Sequence, residues 1–394
     1  MTLVTRRQSL ALVGGSLFAA GLPRATLAAV ETDKRFVVVL LRGAMDGLSA
    51  APAYGDPDHE RARNGLAIAL PGESGGALKL DATFALHPNL PGMKGLYDSG
   101  ELLLVHAAAT PYRDRSHFDG QNLLENGSEQ PYGLDTGWLN RVLAQMPATG
   151  KPLGVALNAH MPLMMRGSAA VTSWAPSLLA PPDADTVQRL ASLYGETDPL
   201  LARNFANAQS ANSVAMGAEN GGGYQAFAGL MTAAAKFLSA PDGERIAMVE
   251  IGGWDSHVNQ AGAFSPLSTN LLTLDRGLTA LKTGLGPAWT ETAVVIVSEF
   301  GRTVAMNGTQ GTDHGTGSAV FVAGGAVKGG RVIADWPGLK PGALYQERDL
   351  KPTTDFRSIA TGVLRDHMGL QGAQLAAVFP SSAPVKPRDG LIRV

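Results

Sequence analysis

Residues 246–257, IAMVEIGGWDSH, and residues 293–303, AVVIVSEFGRT, each place a continuous apolar run directly before a group of ionisable residues. Short runs that consist mainly of Val, Ile, Ala and Leu are typical of strands buried on both faces of a sheet. Three further runs are predicted to be strands for the same reason: Phe36 to Leu41, Leu102 to Ala107 and Ala319 to Val322. Helical stretches separate these runs, so the sequence predicts an α/β fold in which several strands are parallel.

The composition changes between about residues 180 and 240, where Ala, Leu, Asn and Gln recur at helical spacing. Helices are predicted over Ala184 to Tyr194, Pro199 to Met216 and Tyr224 to Leu238, with an interruption at Gly221 to Gly223. We expect a helical insert on the main sheet rather than an independent domain. One domain is therefore predicted to span residues 30–394.

The overall composition excludes several classes of protein. The 394 residues contain 32 Lys plus Arg against 34 Asp plus Glu, for a formal charge of −2, and no basic excess favours binding to nucleic acid or anionic lipid. The chain has no cysteine, which rules out disulfides, thiolate metal sites and cysteine nucleophiles. Phosphate-cradling GxxxxGK[ST], dinucleotide-binding GxGxxG after a strand, and HExxH motifs are also absent.

The first 29 residues are predicted to be an export signal. Thr5 to Leu10 contains the pair Arg6-Arg7, residues 9–23 are moderately apolar, and small residues cluster at Ala25 to Ala29. This pattern resembles a twin-arginine signal, whose machinery exports folded proteins. A membrane anchor is the alternative, although about 15 apolar residues fall short of the roughly 20 that a span requires. We expect a periplasmic or secreted protein with no membrane span in its mature chain.

Ionisable residues gather where the predicted strands end. They follow four of the five strands and precede the fifth, in the segments 42–47, 112–119, 252–257, 298–303 and 312–317. In open α/β sheets, ligands bind in the crevice outside the carboxyl ends of the strands. The five loops are therefore predicted to form one site that is rich in carboxylate, imidazole and guanidinium groups.

Two pairs of residues in these loops suit a divalent cation. Asp255 and His257 are two residues apart in an extended loop, so their side chains can point the same way. Asp313 and His314 offer a second carboxylate and imidazole. Oxygen and nitrogen ligands of this kind bind divalent metals, whereas any one Asp or His taken alone is more simply a cap or a turn residue.

The sequence resembles a large group of bacterial proteins that are exported by the twin-arginine pathway and classed as a domain of unknown function. That group is itself placed in the alkaline phosphatase and sulfatase-like superfamily. The resemblance covers almost the whole mature chain and is carried by the segments LLRGAMDGLS (40–49), HPNLPGMKGLYDSGELLLVHAAATPYRDRSHFDGQNLLENG (87–127), VEIGGWDSH (249–257), VVIVSEFGRT (294–303), TDHGTGSAVFVAGGAVKGG (312–330) and TTDFRSIATGVLRDHMGL (353–370). It implies an alkaline phosphatase-like fold with a mostly parallel central sheet flanked by helices.

The resemblance also implies roles for individual residues. Asp46 and Ser116 would contribute to one metal site, with Ser116 as the candidate nucleophile. Asp255, His257 and His314 would be ligands of a second metal site. Glu299 takes the position of a superfamily Asp, and one or two divalent ions per chain are expected, with Zn²⁺, Mn²⁺, Ca²⁺ and Mg²⁺ as the candidates.

Phe300 departs from the superfamily pattern, because it stands where an adjacent histidine binds metal and a phenyl ring cannot coordinate. The site that contains Asp46 and Glu299 therefore lacks a nitrogen ligand. It is expected to be empty, to take a hard ion such as Ca²⁺ or Mg²⁺, or to recruit Asp313.

Arginines near these positions point to an anionic ester. Arg113, Arg115 and His117 flank Ser116, and Arg42 and Arg302 lie close to Asp46 and Glu299. Guanidinium groups match the geometry of phosphate and sulfate, although the same arginines could simply neutralise nearby carboxylates. Ser116 could equally be a helix N-cap. No Cys or Ser opens the x-Pro-x-Arg pattern of formylglycine sulfatases.

Three functions follow from this interpretation. The first is a metal-dependent hydrolase or transferase that acts on a phosphate or sulfate ester, small or polymeric, with Ser116 as nucleophile and Arg115 and Arg302 as catalytic partners. The second is a non-catalytic, metal-stabilised binding or assembly protein, which Phe300 favours. The third is a hydrolase in which a single metal activates water.

Overall fold

A nine-stranded sheet forms the centre of the computed structural model, which describes residues 32–177, 182–218, 224–262, 264–380 and 385–393. The proposed export signal lies outside the described residues. The strands are β1 (Arg35–Leu41), β2 (Leu78–Lys79), β3 (Ala85–Leu86), β4 (Leu102–Ala109), β5 (Gly154–Leu157), β6 (Val171–Ser173), β7 (Ile246–Ile251), β8 (Thr292–Ser298), β9 (Ser318–Ala323), β10 (Arg331–Ile333) and β11 (Thr354–Asp355). All five strands predicted from the sequence are present, and the α/β prediction is confirmed.

The strand order is β10-β4-β9-β8-β1-β7-β5-β6, with β11 also paired to β4. Every pairing in this sheet is parallel except those of β9, which runs antiparallel to both β4 and β8. The amino end of β9 therefore lies at the edge of the sheet where its neighbours end. A separate antiparallel pair is formed by β2 and β3.

Helices cover both faces of the sheet. They are α1 (Gly47–Ala50), α2 (His59–Arg63), α3 (Pro91–Asp98), α4 (His117–Asn126), α5 (Trp138–Leu143), α6 (Ala184–Thr197), α7 (Pro199–Ala215), α8 (Tyr224–Ser239), α9 (Pro266–Leu285), α10 (Phe356–Asp366) and α11 (Gly372–Val378). None of the helices in the described part of the chain combines the length and the apolar content needed to cross a bilayer.

Alternate residues of the strands enter two separate cores. In β1, Val37, Val39 and Leu41 join the apolar cluster that contains α3, α8 and α9 residues. The intervening residues, such as Phe36 and Val38, join the cluster that contains α5, α10 and α11 residues. Because both faces are buried, the central strands are largely apolar, as the sequence predicted.

The predicted helical insert corresponds to α6, α7 and α8. No residue of α6 is buried, and α7 buries only Ala211 and Ala215. Asp183 and Asp198 cap the amino ends of α6 and α7 through their carboxylates. The glycines at 221–223 lie outside the described residues.

Candidate metal centre

The site lies at the edge of the sheet where β4, β7 and β8 end and β9 begins. Backbone pairing between Arg302 and His314 joins the loop after β8 to the loop before β9. A Cβ at Gly301 would lie 1.9 Å from the carbonyl oxygen of Gly317, so only glycine permits this approach. The loops predicted to meet are therefore brought together by the reversed direction of β9.

Three imidazoles converge on one carboxylate oxygen. Asp255 Oδ1 lies 3.0 Å from His257 Nε2, 3.3 Å from His314 Nε2 and 3.5 Å from His117 Nε2. The Nε2 atoms of His257 and His314 are themselves 3.0 Å apart. His117, Asp255 and His314 can each offer a ligand atom to one metal ion within 4.8 Å of the others.

Each of these imidazoles has an oxygen partner on its other nitrogen. The Nδ1–H of His117 donates to Glu299 Oε1 at 2.8 Å, and that of His314 donates to the Arg115 carbonyl at 2.8 Å. His257 Nδ1 lies 3.4 Å from Asp313 Oδ1. An imidazole whose Nδ1 carries the proton presents the lone pair of its Nε2 to a ligand. In metal sites, an oxygen that contacts the other ring nitrogen orients a histidine in this way, and all three rings here have such an oxygen.

The donor set fits a cation. His117 Nε2 is buried and has no hydrogen-bond partner among the described residues. Lone pairs on three nitrogens and one anionic oxygen repel one another unless positive charge lies among them. Without a metal, a proton serves this purpose: the hydrogen bond to Glu299 raises the pKa of His117, whereas burial lowers the pKa of His314.

Arg302 holds the carboxylate at the centre of the cluster. Its Nη1 donates to Asp255 Oδ1 at 2.6 Å, and its other nitrogens donate to Thr312. Burial alone would raise the pKa of Asp255, but the hydrogen bond and charge of Arg302 lower it. The carboxylate is thus kept ionised while about 44% of its side chain remains exposed, which leaves the cluster open to solvent on one side.

Glu299 and Phe300 form the inner wall of the cluster. Glu299 is fully buried and accepts hydrogen bonds from His117, from Gln121 and from the backbone of Gly43. Burial would raise the pKa of Glu299, but these hydrogen bonds lower it. The Phe300 ring stacks on His117 at a centroid distance of 5.0 Å, so it supports an imidazole instead of replacing one.

Asp46 makes no ion pair or hydrogen bond with the three imidazoles or with Asp255 among the described residues. It caps α1, and its Oδ2 pairs with Arg63 at 2.5 Å and accepts a hydrogen bond from Gln260. Arg63 is fully buried, and it lowers the pKa of Asp46 although burial alone would raise it. The structure therefore gives Asp46 a guanidinium partner, and the predicted pairing of Asp46 with Glu299 and Ser116 around a second metal has no counterpart in these contacts.

Ser116 lies between two residues that contact the cluster. It is the N-cap of α4, with its Oγ 3.5 Å from the Asp119 nitrogen, as the alternative interpretation of the sequence allowed. Its predecessor Arg115 has a left-handed φ of 63° and gives its carbonyl to His314; its successor is His117. A non-glycine residue in this region is strained, and such strain commonly marks functional loops.

Three of the four arginines predicted to bind an anion, Arg42, Arg115 and Arg302, are paired with carboxylates. Arg115 Nε lies 2.8 Å from Asp349 Oδ2, and Arg302 binds Asp255. Arg42 pairs with two further carboxylates, Glu125 and Glu250, at 2.9 and 2.7 Å. The sequence left open the alternative that these arginines neutralise nearby carboxylates, and the observed ion pairs match that alternative.

Of the predicted site residues, Asp255, His257 and His314 are in contact, and Glu299, Asp313 and Arg302 hold them from outside. That they bind metal stays a prediction. His117 was not predicted to be a ligand, because the resemblance assigns the metal-site role in this loop to its neighbour Ser116. Its position at the first turn of a helix that follows a strand end is the feature that could have indicated it.

Known proteins show distant likenesses to the chain. A family model described as "Protein of unknown function (DUF1501)" matches residues 103–379, and no curated protein matches. The C-terminal periplasmic domain of EcEptC from Escherichia coli, in complex with Zn, is 11% identical, covers 75% of this chain and 76% of its own, and has a TM-score of 0.37. A putative sulfatase from Bacteroides thetaiotaomicron is 9% identical over 90% of this chain and 76% of its own, with a TM-score of 0.41.

A TAB5 alkaline phosphatase mutant with Mg bound is similar at 12% identity, over 77% of this chain and 95% of its own, with a TM-score of 0.36. At these identities and scores, the likeness concerns the general arrangement of strands and helices and nothing finer.

Proposed function

We propose that this chain, which belongs to the DUF1501 family of proteins of unknown function, is a metal-dependent hydrolase or transferase that acts on a phosphate or sulfate ester. The observation that carries the proposal is the convergence of three Nε2 atoms on Asp255 Oδ1, each ring being held by an oxygen on its far side. A purely structural cluster would not need to gather three imidazole nitrogens around a carboxylate that is about 44% exposed.

We propose one divalent cation per chain, held by His117, Asp255, His257 and His314. Three nitrogens and one oxygen favour Zn²⁺ or another transition metal over Ca²⁺ or Mg²⁺, which prefer oxygen ligands. Such an ion would lower the pKa of a nearby hydroxyl or water and attract the charge that develops on the ester oxygens. Arg63 gives Asp46 the positive partner that a second ion would have supplied.

Ser116 is the proposed nucleophile. Both neighbours of Ser116 contact the cluster. The carbonyl of Arg115 accepts a hydrogen bond from His314, and the ring of His117 donates one to Glu299. A serine hydroxyl is a weak nucleophile at its ordinary pKa and requires activation by a nearby base or metal. Its N-cap role is compatible with this task, because the capping contact is long, at 3.5 Å, and Ser116 remains partly exposed.

The test is hydrolysis of p-nitrophenyl phosphate, p-nitrophenyl sulfate and bis(p-nitrophenyl) phosphate by the full mature chain loaded with Zn²⁺ or Mn²⁺. We expect activity that a chelator abolishes and that Ser116→Ala reduces by about 10³-fold or more. Ser192→Ala, on exposed α6, is the matched control. Circular dichroism checks folding, because loss of an N-cap costs about 1 kcal/mol.

Two outcomes of this test support other functions. If Ser116→Ala keeps most of the activity, a single metal activates water directly and no covalent step through Ser116 occurs. If the metal-loaded chain hydrolyses none of the esters, the non-catalytic binding protein becomes the better account. The pairing of Arg42, Arg115 and Arg302 with carboxylates is the observation that favours this second function.

We also propose that residues 1–29 direct twin-arginine export and that residues 30–394 form one exported domain. The support is the Arg6-Arg7 pair ahead of a short apolar stretch. Replacement of both arginines by lysine should leave the precursor in the cytoplasm of the producing cell, which fractionation and immunoblotting would show. Export that proceeds unchanged in the double variant would contradict the proposal.

A further inference from the structure

The strand-end loops that carry the cluster contain more negative than positive charge. Segments 42–47, 110–119, 252–258 and 299–317 are all described by the structure, and together they hold four arginines and six carboxylates. One divalent cation would bring their sum to zero. Arg302 is paired with Asp255 inside these segments. The ion-pair partners that lie outside the segments are Arg63, Arg348, Glu125, Glu250 and Asp349, which add two positive and three negative charges, so one divalent cation leaves no positive excess.

This balance limits the charge of the substrate. A phosphate monoester carries nearly two negative charges at neutral pH, whereas a sulfate monoester and a phosphate diester each carry one. Each uncompensated charge brought to a partly buried site costs free energy through desolvation and repulsion. Arg113 has no carboxylate within ion-pair distance among the described residues. Its Nη1 donates to the carbonyls of Thr110 and Tyr112, and burial lowers the pKa of its guanidinium group.

Two exposed aromatic side chains lie at α4, the helix that carries His117: Phe118 is part of the helix and Tyr132 lies beside it. Phe118 directly follows His117 and is 82% exposed, and Tyr132 is 65% exposed. The backbone N–H of Tyr132 donates to Asn122 Oδ1 at 2.5 Å. Because Asn122 is four residues after Phe118 on the same helix, both aromatic residues lie on one face of α4.

Asp119, in the first turn of α4, raises the pKa of Tyr132. Exposed aromatic residues beside a polar site commonly receive the apolar part of a ligand. Together, Phe118 and Tyr132 provide such a surface on the helix that carries His117.

We propose that the substrate is an ester with a single negative charge, either a sulfate monoester or a phosphate diester, and that its apolar or ring-containing alcohol lies on Phe118 and Tyr132. This inference rests on the proposed function, because it assumes that the cluster binds the charged end of an ester. It names the substrate class that the proposed function leaves open.

Equilibrium binding tests the charge rule separately from turnover. The zinc-loaded full chain is titrated calorimetrically at pH 8 with phenyl methylphosphonate, a monoanion, and with phenylphosphonate, a dianion at this pH. We expect the monoanion to bind at least tenfold more tightly. Equal binding, tighter binding of the dianion, or no binding of either compound would overturn the inference.

Turnover then separates the two monoanions and tests the proposed function. Hydrolysis of p-nitrophenyl sulfate faster than bis(p-nitrophenyl) phosphate identifies a sulfate monoester, and the reverse order identifies a phosphate diester. If the monoanionic phosphonate binds more tightly but neither ester is cleaved, the proposed function fails while the charge rule stands.

The aromatic surface is tested by Phe118→Ala. Loss of the ring should weaken binding of phenyl methylphosphonate by roughly tenfold and leave binding of methyl methylphosphonate nearly unchanged. Leu193→Ala removes a 52% exposed apolar side chain from α6 and serves as the matched control. Equal losses for both ligands, or no loss for the phenyl ligand, would overturn this part of the proposal.

Discussion

Glu299 determines how His117 faces the cluster, because its Oε1 accepts the Nδ1–H of the ring at 2.8 Å. The sequence indicated Glu299 as a ligand, since it follows a buried strand at the position of a superfamily carboxylate. The structure instead places the His117 ring directly against it. Whether a carboxylate binds a metal or orients a histidine depends on a residue 182 positions away, which local sequence cannot show.

Glu299→Gln is expected to weaken metal binding by about 10- to 100-fold, because a neutral amide holds the His117 ring less firmly and lowers its basicity. Competition with a chromogenic chelator would measure the affinity. Glu196→Gln, an exposed change on α6, is the control. An unchanged metal affinity in Glu299→Gln would show that the buried carboxylate does not act through His117.

At the scale of elements, β9 decides whether the site forms. Its apolar run could be predicted as a strand, but its antiparallel direction depends on its neighbours β4 and β8, which periodicity does not reveal. In contrast, Asp255 and His257 could be placed at the sheet edge from sequence, because the buried strand β7 ends immediately before them. The ion pair of Asp46 could not be predicted for a similar reason, since its partner Arg63 belongs to a separate helix; the metal-binding role of Asp46 stays a prediction.

Gly301→Ala is expected to separate the loops on either side of β9. The added Cβ would lie 1.9 Å from the Gly317 carbonyl oxygen, so the Arg302–His314 pairing would have to shift. We expect a loss of about 1 to 3 kcal/mol in the free energy of unfolding, together with weaker metal binding.

Urea denaturation and metal titration would measure both effects. Gly308→Ala is the matched control, because a Cβ there would meet no heavy atom within 4 Å in the described part of the chain. If Gly301→Ala binds metal as tightly as the wild type, the close packing of these loops is not required for the site.

At the scale of the whole molecule, stability should depend on buried neutral histidines. His106 is fully buried; its Nδ1 accepts the Ala107 N–H and its Nε2 donates to the Ala51 carbonyl. Burial lowers the pKa of His106 to about 4. Burial likewise lowers the pKa values of His59, His87 and His367 to about 4.

The unfolded chain therefore takes up protons below about pH 6.5, whereas the folded chain resists protonation until about pH 4. The free energy of unfolding should fall as the pH drops through this window, with His106 contributing roughly 3 kcal/mol at most. Urea denaturation at pH 7, 5.5 and 4.5 would show a smaller fall for His106→Gln than for the wild type. Exposed His160→Gln is the control, and equal pH dependence in all three proteins would contradict the argument.

The central claim is that one divalent cation binds between the loops after β4 and β7 and the loop before β9. Elemental analysis of the purified full chain, after loading with Zn²⁺ and dialysis, tests it most directly. We predict about one ion per chain for the wild type and for His160→Ala, and almost none for His314→Ala. A folded wild type that retains no metal, or a His314→Ala variant that retains as much metal as the wild type, would contradict the claim.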